Sequence, residues 1–140
     1  MTTSSASIDI NAAPEKIWAI ITDAPSHPSF DPNCIRIQGG KAQADVWLRI
    51  YDTQGPERGY LMRVTSFSPP RVMVWSAGSR FGLLRRIRTF SIEERSRTSC
   101  RFTLKEEFTG PMLRLARRSI PDMTEAFEGF CRGLKELAEA

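Results

Sequence analysis

The chain has one histidine, His27, and three widely spaced cysteines, Cys34, Cys100 and Cys131. A zinc site needs clustered His and Cys ligands, and no cluster exists. A Ser-His-Asp or Cys-His arrangement would have to use His27. Its neighbours Pro25, Ser26 and Pro28 predict an exposed turn, which disfavours a catalytic role. The cysteines are odd in number and form no Cys-x-x-Cys pair. They are expected to be reduced, mostly buried small apolar side chains. No glycine-rich loop of the Walker or dinucleotide type occurs; Gly55-Pro56 and Gly78 read as ordinary turns. No apolar run approaches the roughly 20 residues that span a bilayer. The N-terminus lacks a basic start followed by an apolar stretch, so no signal peptide and a cytoplasmic location are expected. Repeats, low-complexity tracts and linkers are absent, and neither a cofactor nor a metal is expected.

What is present is the composition of a globular protein: 140 residues, 41% hydrophobic, with a net charge of +4. That length predicts a single domain over residues 1–140 with a real core. Arginines cluster at Arg85, Arg86 and Arg88, and again at Arg114, Arg117 and Arg118. Such clusters form either a solvated basic face or a surface for nucleic acid or anionic membrane. No aromatic residues alternate with them as a base-stacking platform requires, and no helix-turn-helix or zinc-finger spacing occurs, so nucleic acid is not an expected partner.

Ser5 to Ile10 alternates apolar and polar residues and predicts a first strand. Pro14 and Glu15 suit the first turn of a helix carrying Ile17, Trp18, Ile20 and Ile21, which ends near Asp23-Ala24-Pro25. After the turn from His27 to Pro32, period-two patterns predict strands at Cys34–Gln38, around Val46, Leu48 and Ile50, around Tyr60, Met62 and Val64, and at Val72–Ala77. Two longer ones follow at Arg86–Glu94 and Thr98–Thr109, joined by Arg95-Ser96-Arg97. Met112, Ala116, Ile120, Met123, Phe127, Phe130, Leu134 and Leu137 then form one helical stripe. Pro121 predicts a kink or break near Ser119 to Asp122, with Ser119 or Ile120 opening the second part.

Consecutive strands with short connections must be antiparallel. The C-terminal helix is the one element long enough to cover their apolar face. The expected fold class is therefore α+β: a helix-grip fold, with a curved antiparallel sheet of six to seven strands wrapped around a long C-terminal helix. A sheet closing on one helix is hard to fill completely, which predicts a cavity.

Three stretches carry a family resemblance: Ile8-Asp9-Ile10-Asn11-Ala12-Ala13-Pro14-Glu15-Lys16-Ile17-Trp18, Pro69-Pro70-Arg71-Val72-Met73-Val74-Trp75, and Phe90-Ser91-Ile92 with Glu106-Glu107-Phe108-Thr109-Gly110. In this order the chain resembles the START-like or polyketide cyclase/dehydrase-like superfamily, which includes the birch-pollen-allergen-like proteins. That resemblance implies a helix-grip fold. It also implies one of several roles, since the superfamily holds lipid carriers, hormone binders, aromatases, cyclases and co-chaperone relatives. Some members carry His where this chain has Leu104 and Arg88, which weakens any transfer of His-based chemistry.

Strand parity places Cys100, Phe102, Leu104, Glu106 and Phe108 on one inward face, and Arg88, Phe90 and Ile92 on the facing one. A carboxylate and a guanidinium on an apolar face need each other. Glu106 and Arg88 are thus a structural ion pair, a ligand-orienting pair, or a catalytic pair. In the last case Glu106 is the general base and Arg88 polarises a carbonyl or stabilises an enolate. Met62, Met73, Trp75, Phe90, Phe102, Leu104, Phe108, Met123 and Phe127 are candidates to line the cavity, with Phe30 beside them. Their bias to methionine and aromatics suits an adaptable apolar pocket, and plain core packing is the competing explanation. Phe81, between Gly78 and Gly82, is a candidate cap or loop anchor.

These features predict a binder of a small hydrophobic or aromatic molecule, as a monomer or homodimer. One alternative is a polyketide cyclase/dehydratase-type enzyme using Glu106 and Arg88. The other is a ligand-free interaction domain with a filled interior and a partner surface near Arg114 to Arg118.

Overall fold

The computed structural model describes residues 2–140. Strand β1 (Thr2–Ile10) leads into helix α1 (Pro14–Thr22), where Pro14 opens the first turn and Ile17, Trp18 and Ile21 are buried. A 3₁₀ turn (Ala24–Ser29) connects to β2 (Cys34–Gln38). Then come β3 (Trp47–Asp52), β4 (Tyr60–Ser68), β5 (Val72–Gly78), β6 (Arg85–Ser96) and β7 (Ser99–Thr109). These form one antiparallel seven-stranded sheet in the order β1-β7-β6-β5-β4-β3-β2. Register shifts between Cys34 and Arg36, Val64 and Ser66, and Glu94 and Ser96 interrupt the ladder. Such bulges bend a sheet and increase its twist. β1 begins before the predicted Ser5, because its backbone ladder with β7 continues from Ala6 out to Thr2 opposite Phe108. Ladder bonds do not depend on side-chain alternation.

Helix α3 (Thr124–Glu139) lies in the concave face and buries Phe127, Phe130, Cys131, Leu134 and Ala138. The sequence predicted one stripe from Met112 onwards, kinked or broken near Pro121. It is broken: α2 (Leu113–Ala116) is a separate one-turn helix followed by a 3₁₀ turn, Arg117–Ser119. α3 starts at Thr124, not at Ser119 or Ile120. Ile120 is extended (φ −84°, ψ 118°), as a residue before proline prefers. Asp122 Oδ1 accepts the Thr124 N–H at 3.0 Å and its hydroxyl at 2.7 Å just ahead of the first helical bond, from the Phe127 N–H to the Met123 carbonyl. No helix among the described residues is long and apolar enough to cross a membrane.

The antiparallel order collects the starts of β2, β4 and β6 and the ends of β3, β5 and β7 at one end of the sheet. Two glycines close this end. A Cβ on Gly133 of α3 would overlap the Phe30 carbonyl oxygen, so only glycine lets the 3₁₀ segment settle against the helix. Gly110 has φ +122° and a Cβ there would lie 2.5 Å from the Leu83 oxygen, which binds the chain leaving β7 to the β5–β6 loop.

Candidate functional site

Between the sheet and α3, toward that end, lies a partly enclosed cavity of about 30 Å³. Ordinary ligand pockets enclose about 300–1,000 Å³, whereas a space of this size suits a water molecule or two. One wall is apolar: Ile37, Ile50, Trp75, Phe90, Leu104, Met123, Phe127 and Phe130. Polar side chains, His27, Asp31, Asn33, Asp52, Tyr60 and Arg88, make up most of the remaining lining.

Arg88 is 7% exposed and Glu106 1%. The Arg88 Nε–H donates to Glu106 Oε2 at 2.6 Å, and the Arg86 Nε–H donates to Glu106 Oε1 at 2.5 Å. Arg88 Nη2 donates to the Tyr60 hydroxyl at 3.0 Å, and that hydroxyl donates to Asp52 Oδ2 at 2.7 Å. Asp52 Oδ1 accepts the backbone N–H groups of Gln54 and Gly55, which also shapes the β3–β4 turn. The Arg86 guanidinium lies 4.1 Å from the Tyr60 ring centroid. One connected network thus ties β3, β4, β6 and β7 together. Burial opposes the charge on Arg88, yet Glu106 and Tyr60 outweigh it and hold its pKa above the ordinary value. Burial pushes the Tyr60 phenol up as well, so it is a neutral donor.

His27 corrects the expectation of an exposed turn: it is 2% exposed. Its Nε2–H donates to the Ile21 carbonyl at 2.8 Å, its ring stacks on Trp75 at 6.0 Å, and Phe130 meets it edge-on at 5.4 Å. Burial lowers its pKa to about 4, so the ring is neutral at pH 7. Burial raises Asp31 to about 6, against the stabilising Asn33 N–H bond. It also pushes the Cys34 thiol up to about 12, leaving no thiolate there. The Trp75 indole Nε1–H is buried without an acceptor, and this residue lines the cavity.

Of the residues singled out in the sequence, Trp75, Arg88, Phe90, Leu104, Met123 and Phe127 meet at the cavity. Glu106 stands behind Arg88 with both oxygens engaged by guanidinium groups. Met62, Met73 and Phe102 are wholly buried in the core and do not border the cavity; Phe102 packs on Phe130 at 5.8 Å. Phe108 is half-buried, with the Arg86 guanidinium 5.4 Å from its centroid. Phe30 packs edge-on to Phe130 at 5.1 Å. Phe81 is 93% exposed and covers nothing.

Sequence reasoning passed over Asp52 and Tyr60 although their parity was available: Leu48, Ile50 and Asp52 share a face, as do Tyr60, Met62 and Val64. Arg86 shares parity with Arg88. His27 and Asp31 sit in an irregular segment, where no period signals burial. No group of three or more His, Cys, Asp or Glu among the described residues is placed to hold a metal ion.

A family model described as "Polyketide cyclase / dehydrase and lipid transport" matches residues 1–139. Among solved structures, the Zhui aromatase/cyclase from Streptomyces sp. R1128 is similar over 99% of this chain and 93% of its own, at 10% identity and a TM-score of 0.76. A START superfamily protein from Mycobacterium smegmatis matches at 17% identity and a TM-score of 0.68, covering 98% of this chain and 97% of that one. Norcoclaurine synthase from Thalictrum flavum, in complex with dopamine and hydroxybenzaldehyde, matches at 13% identity and a TM-score of 0.68, covering 97% and 85%. At these identities the likeness is one of fold. No curated protein sequence matches the chain.

Proposed function

We propose, from the premise that this chain belongs to the polyketide cyclase / dehydrase and lipid transport family, that its interior binds a small apolar or aromatic molecule bearing an oxygen acceptor. The observation that carries this is one buried donor without a partner: the Trp75 N–H is orphaned at the wall of the cavity, which Arg88, itself held by Glu106 and Tyr60, also lines. A buried donor left unpaired costs about 1–3 kcal/mol, and a ligand carbonyl or hydroxyl would remove that cost. The aromatic wall of Trp75, Phe90, Phe127 and Phe130 suits a flat or apolar body.

At about 30 Å³ the cavity must enlarge to admit such a molecule. Met123 is the side chain best suited to yield. It sits at the junction of the irregular 117–123 segment and α3, and methionine repacks easily.

A second reading is favoured by Asp31. If the family's cyclase chemistry operates here, Asp31, with its pKa near 6, is a better proton acceptor than Glu106, whose oxygens are both occupied. Arg88 and Trp75 would then hold the developing enolate oxygen.

The test is native mass spectrometry with denaturing extraction of bound small molecules, followed by titration of whatever is extracted or, failing that, of a panel of aromatics, fatty acids and polyketides. Binding that Trp75→Phe weakens about tenfold and Arg88→Met weakens further supports the reading, since one hydrogen bond contributes about 1 kcal/mol or more. A protein that remains ligand-free across the panel would instead favour the filled interaction domain. Turnover lost in Asp31→Asn with binding retained would establish the enzymatic reading.

A further inference from the structure

Two segments next to each other carry features that the cavity does not use. The β5–β6 loop exposes Phe81 (93%) and Leu83 (39%), and the stretch after β7 exposes Met112 (38%) and Leu115 (78%). The two are joined directly: the Met112 N–H donates to the Leu83 carbonyl at 2.9 Å, and the Leu115 N–H donates to Met112. Phe81 has φ +60°, a left-handed conformation uncommon for a bulky side chain, at the apex of its loop. Half of the large apolar side chains exposed among the described residues therefore fall on these two adjoining segments.

Their charge is all of one sign. Residues 79–92 and 110–121 contain no Asp or Glu, and Arg85, Arg114, Arg117 and Arg118 are exposed. Among the described residues these four take part in no ion pair. The acids close in sequence are otherwise engaged: Glu106 with Arg86 and Arg88, Glu107 with Lys105, and Asp122 with Thr124.

We infer that this end of the molecule docks on the surface of an anionic lipid bilayer, with Phe81 and Leu115 entering the interface and the arginines meeting the headgroups. Protruding apolar side chains ringed by unpaired cations, without acids, are the chemistry that a negatively charged membrane surface rewards. A second copy of this chain fits less well, because a twofold contact would set the same arginines against each other. A nucleic-acid backbone would use the arginines but leave Phe81 and Leu115 without a gain. The docked end is also the sheet end at which the cavity lies.

The test is flotation of the full chain with vesicles of phosphatidylcholine alone and with one third phosphatidylglycerol. Binding to the anionic vesicles is expected, falling at least tenfold on neutral vesicles and weakening with added salt, since headgroup attraction is screened. Arg114→Ser, Arg117→Ser and Arg118→Ser together should weaken it on the order of a hundredfold. Phe81→Asn with Leu115→Ser should do so comparably, with the melting temperature unchanged because both side chains are exposed. No binding to anionic vesicles, or binding indifferent to the Phe81 and Leu115 changes, overturns the inference. So does a solution dimer that these same changes convert to monomer. Equal binding of an oligonucleotide by wild type and the apolar double variant, without vesicle binding, would assign the arginines to nucleic acid instead.

Discussion

Over Phe90, Ile92, Cys100, Phe102 and Leu104, the β6–β7 ladder presents apolar side chains to the interior; over Arg86, Arg88 and Glu106, the same ladder in the same register presents an ion cluster. The first half is a source of stability, each large side chain contributing about 1.5–3 kcal/mol by burial. The second half is close to neutral at best, because desolvating charges offsets most of their attraction. Around it lie further groups that burial disfavours: Asp31, His27 and the unpaired Trp75 N–H. Two ends of one strand pair thus do different things. One end holds the sheet on α3, and the other keeps polar groups buried beside a cavity.

The sharpest way to test that contrast is to change one residue at each end. Phe102→Ala should cost about 4 kcal/mol in urea unfolding, with the melting profile otherwise cooperative. Glu106→Gln should cost about 3 kcal/mol, since it strands Arg86 and Arg88 without their anion. Adding Arg88→Met to Glu106→Gln should recover part of that loss, and a double-mutant cycle measures how much. If Glu106→Gln is neutral, the polar end is not a desolvated ion cluster.

Met123→Ala should cost about 2 kcal/mol by opening space at the cavity. If the interior is a binding site, the same change should speed uptake of an apolar probe, read by tryptophan fluorescence. Loss of stability without any gain in uptake would make Met123 ordinary core.

A smaller effect separates two buried titrating groups by pH. His27, lowered from 6.5 to about 4, is protonated sooner in the unfolded chain. Its contribution is full above about pH 6.5 and is lost as pH falls toward 4. Asp31, raised from 3.8 to about 6, behaves oppositely: its burial costs stability above pH 6 and the cost disappears below about 4. In wild type the two trends largely cancel between these values. Asp31→Asn should therefore stabilise the protein by about 1–2 kcal/mol at pH 7 and expose the His27 trend as a melting temperature that drops from pH 6.5 to 4. A flat profile in that variant would mean that His27 is not held neutral.

The inward row of β7 was legible from Cys100 to Glu106 because alternation along a strand is a local rule. The same rule held Asp52, Tyr60 and Arg86 within reach, though only Arg88 and Glu106 stood out as charges on an apolar row. The break at Pro121 was legible from proline chemistry, whereas the restart at Thr124, with Met123 accepting the first helical bond, was not. His27 was misplaced because proline neighbours speak of a turn and not of what the turn packs against. Gly133, which has no side chain, lets Phe30 approach α3, and His27 packs against Phe30 and Phe130.

By itself, then, the sequence determined the elements, their antiparallel joining, the helix that must cover the sheet, and which strand residues face it. These follow from periods of two and 3.6 and from proline, all of which act within a few residues. Only the tertiary structure decided that the cavity is as small as about 30 Å³, that Glu106 is claimed by two arginines, and that Phe81 and Leu115 share a basic end. Those outcomes depend on how elements distant in sequence pack side chain against side chain, and close packing answers to the whole interior at once.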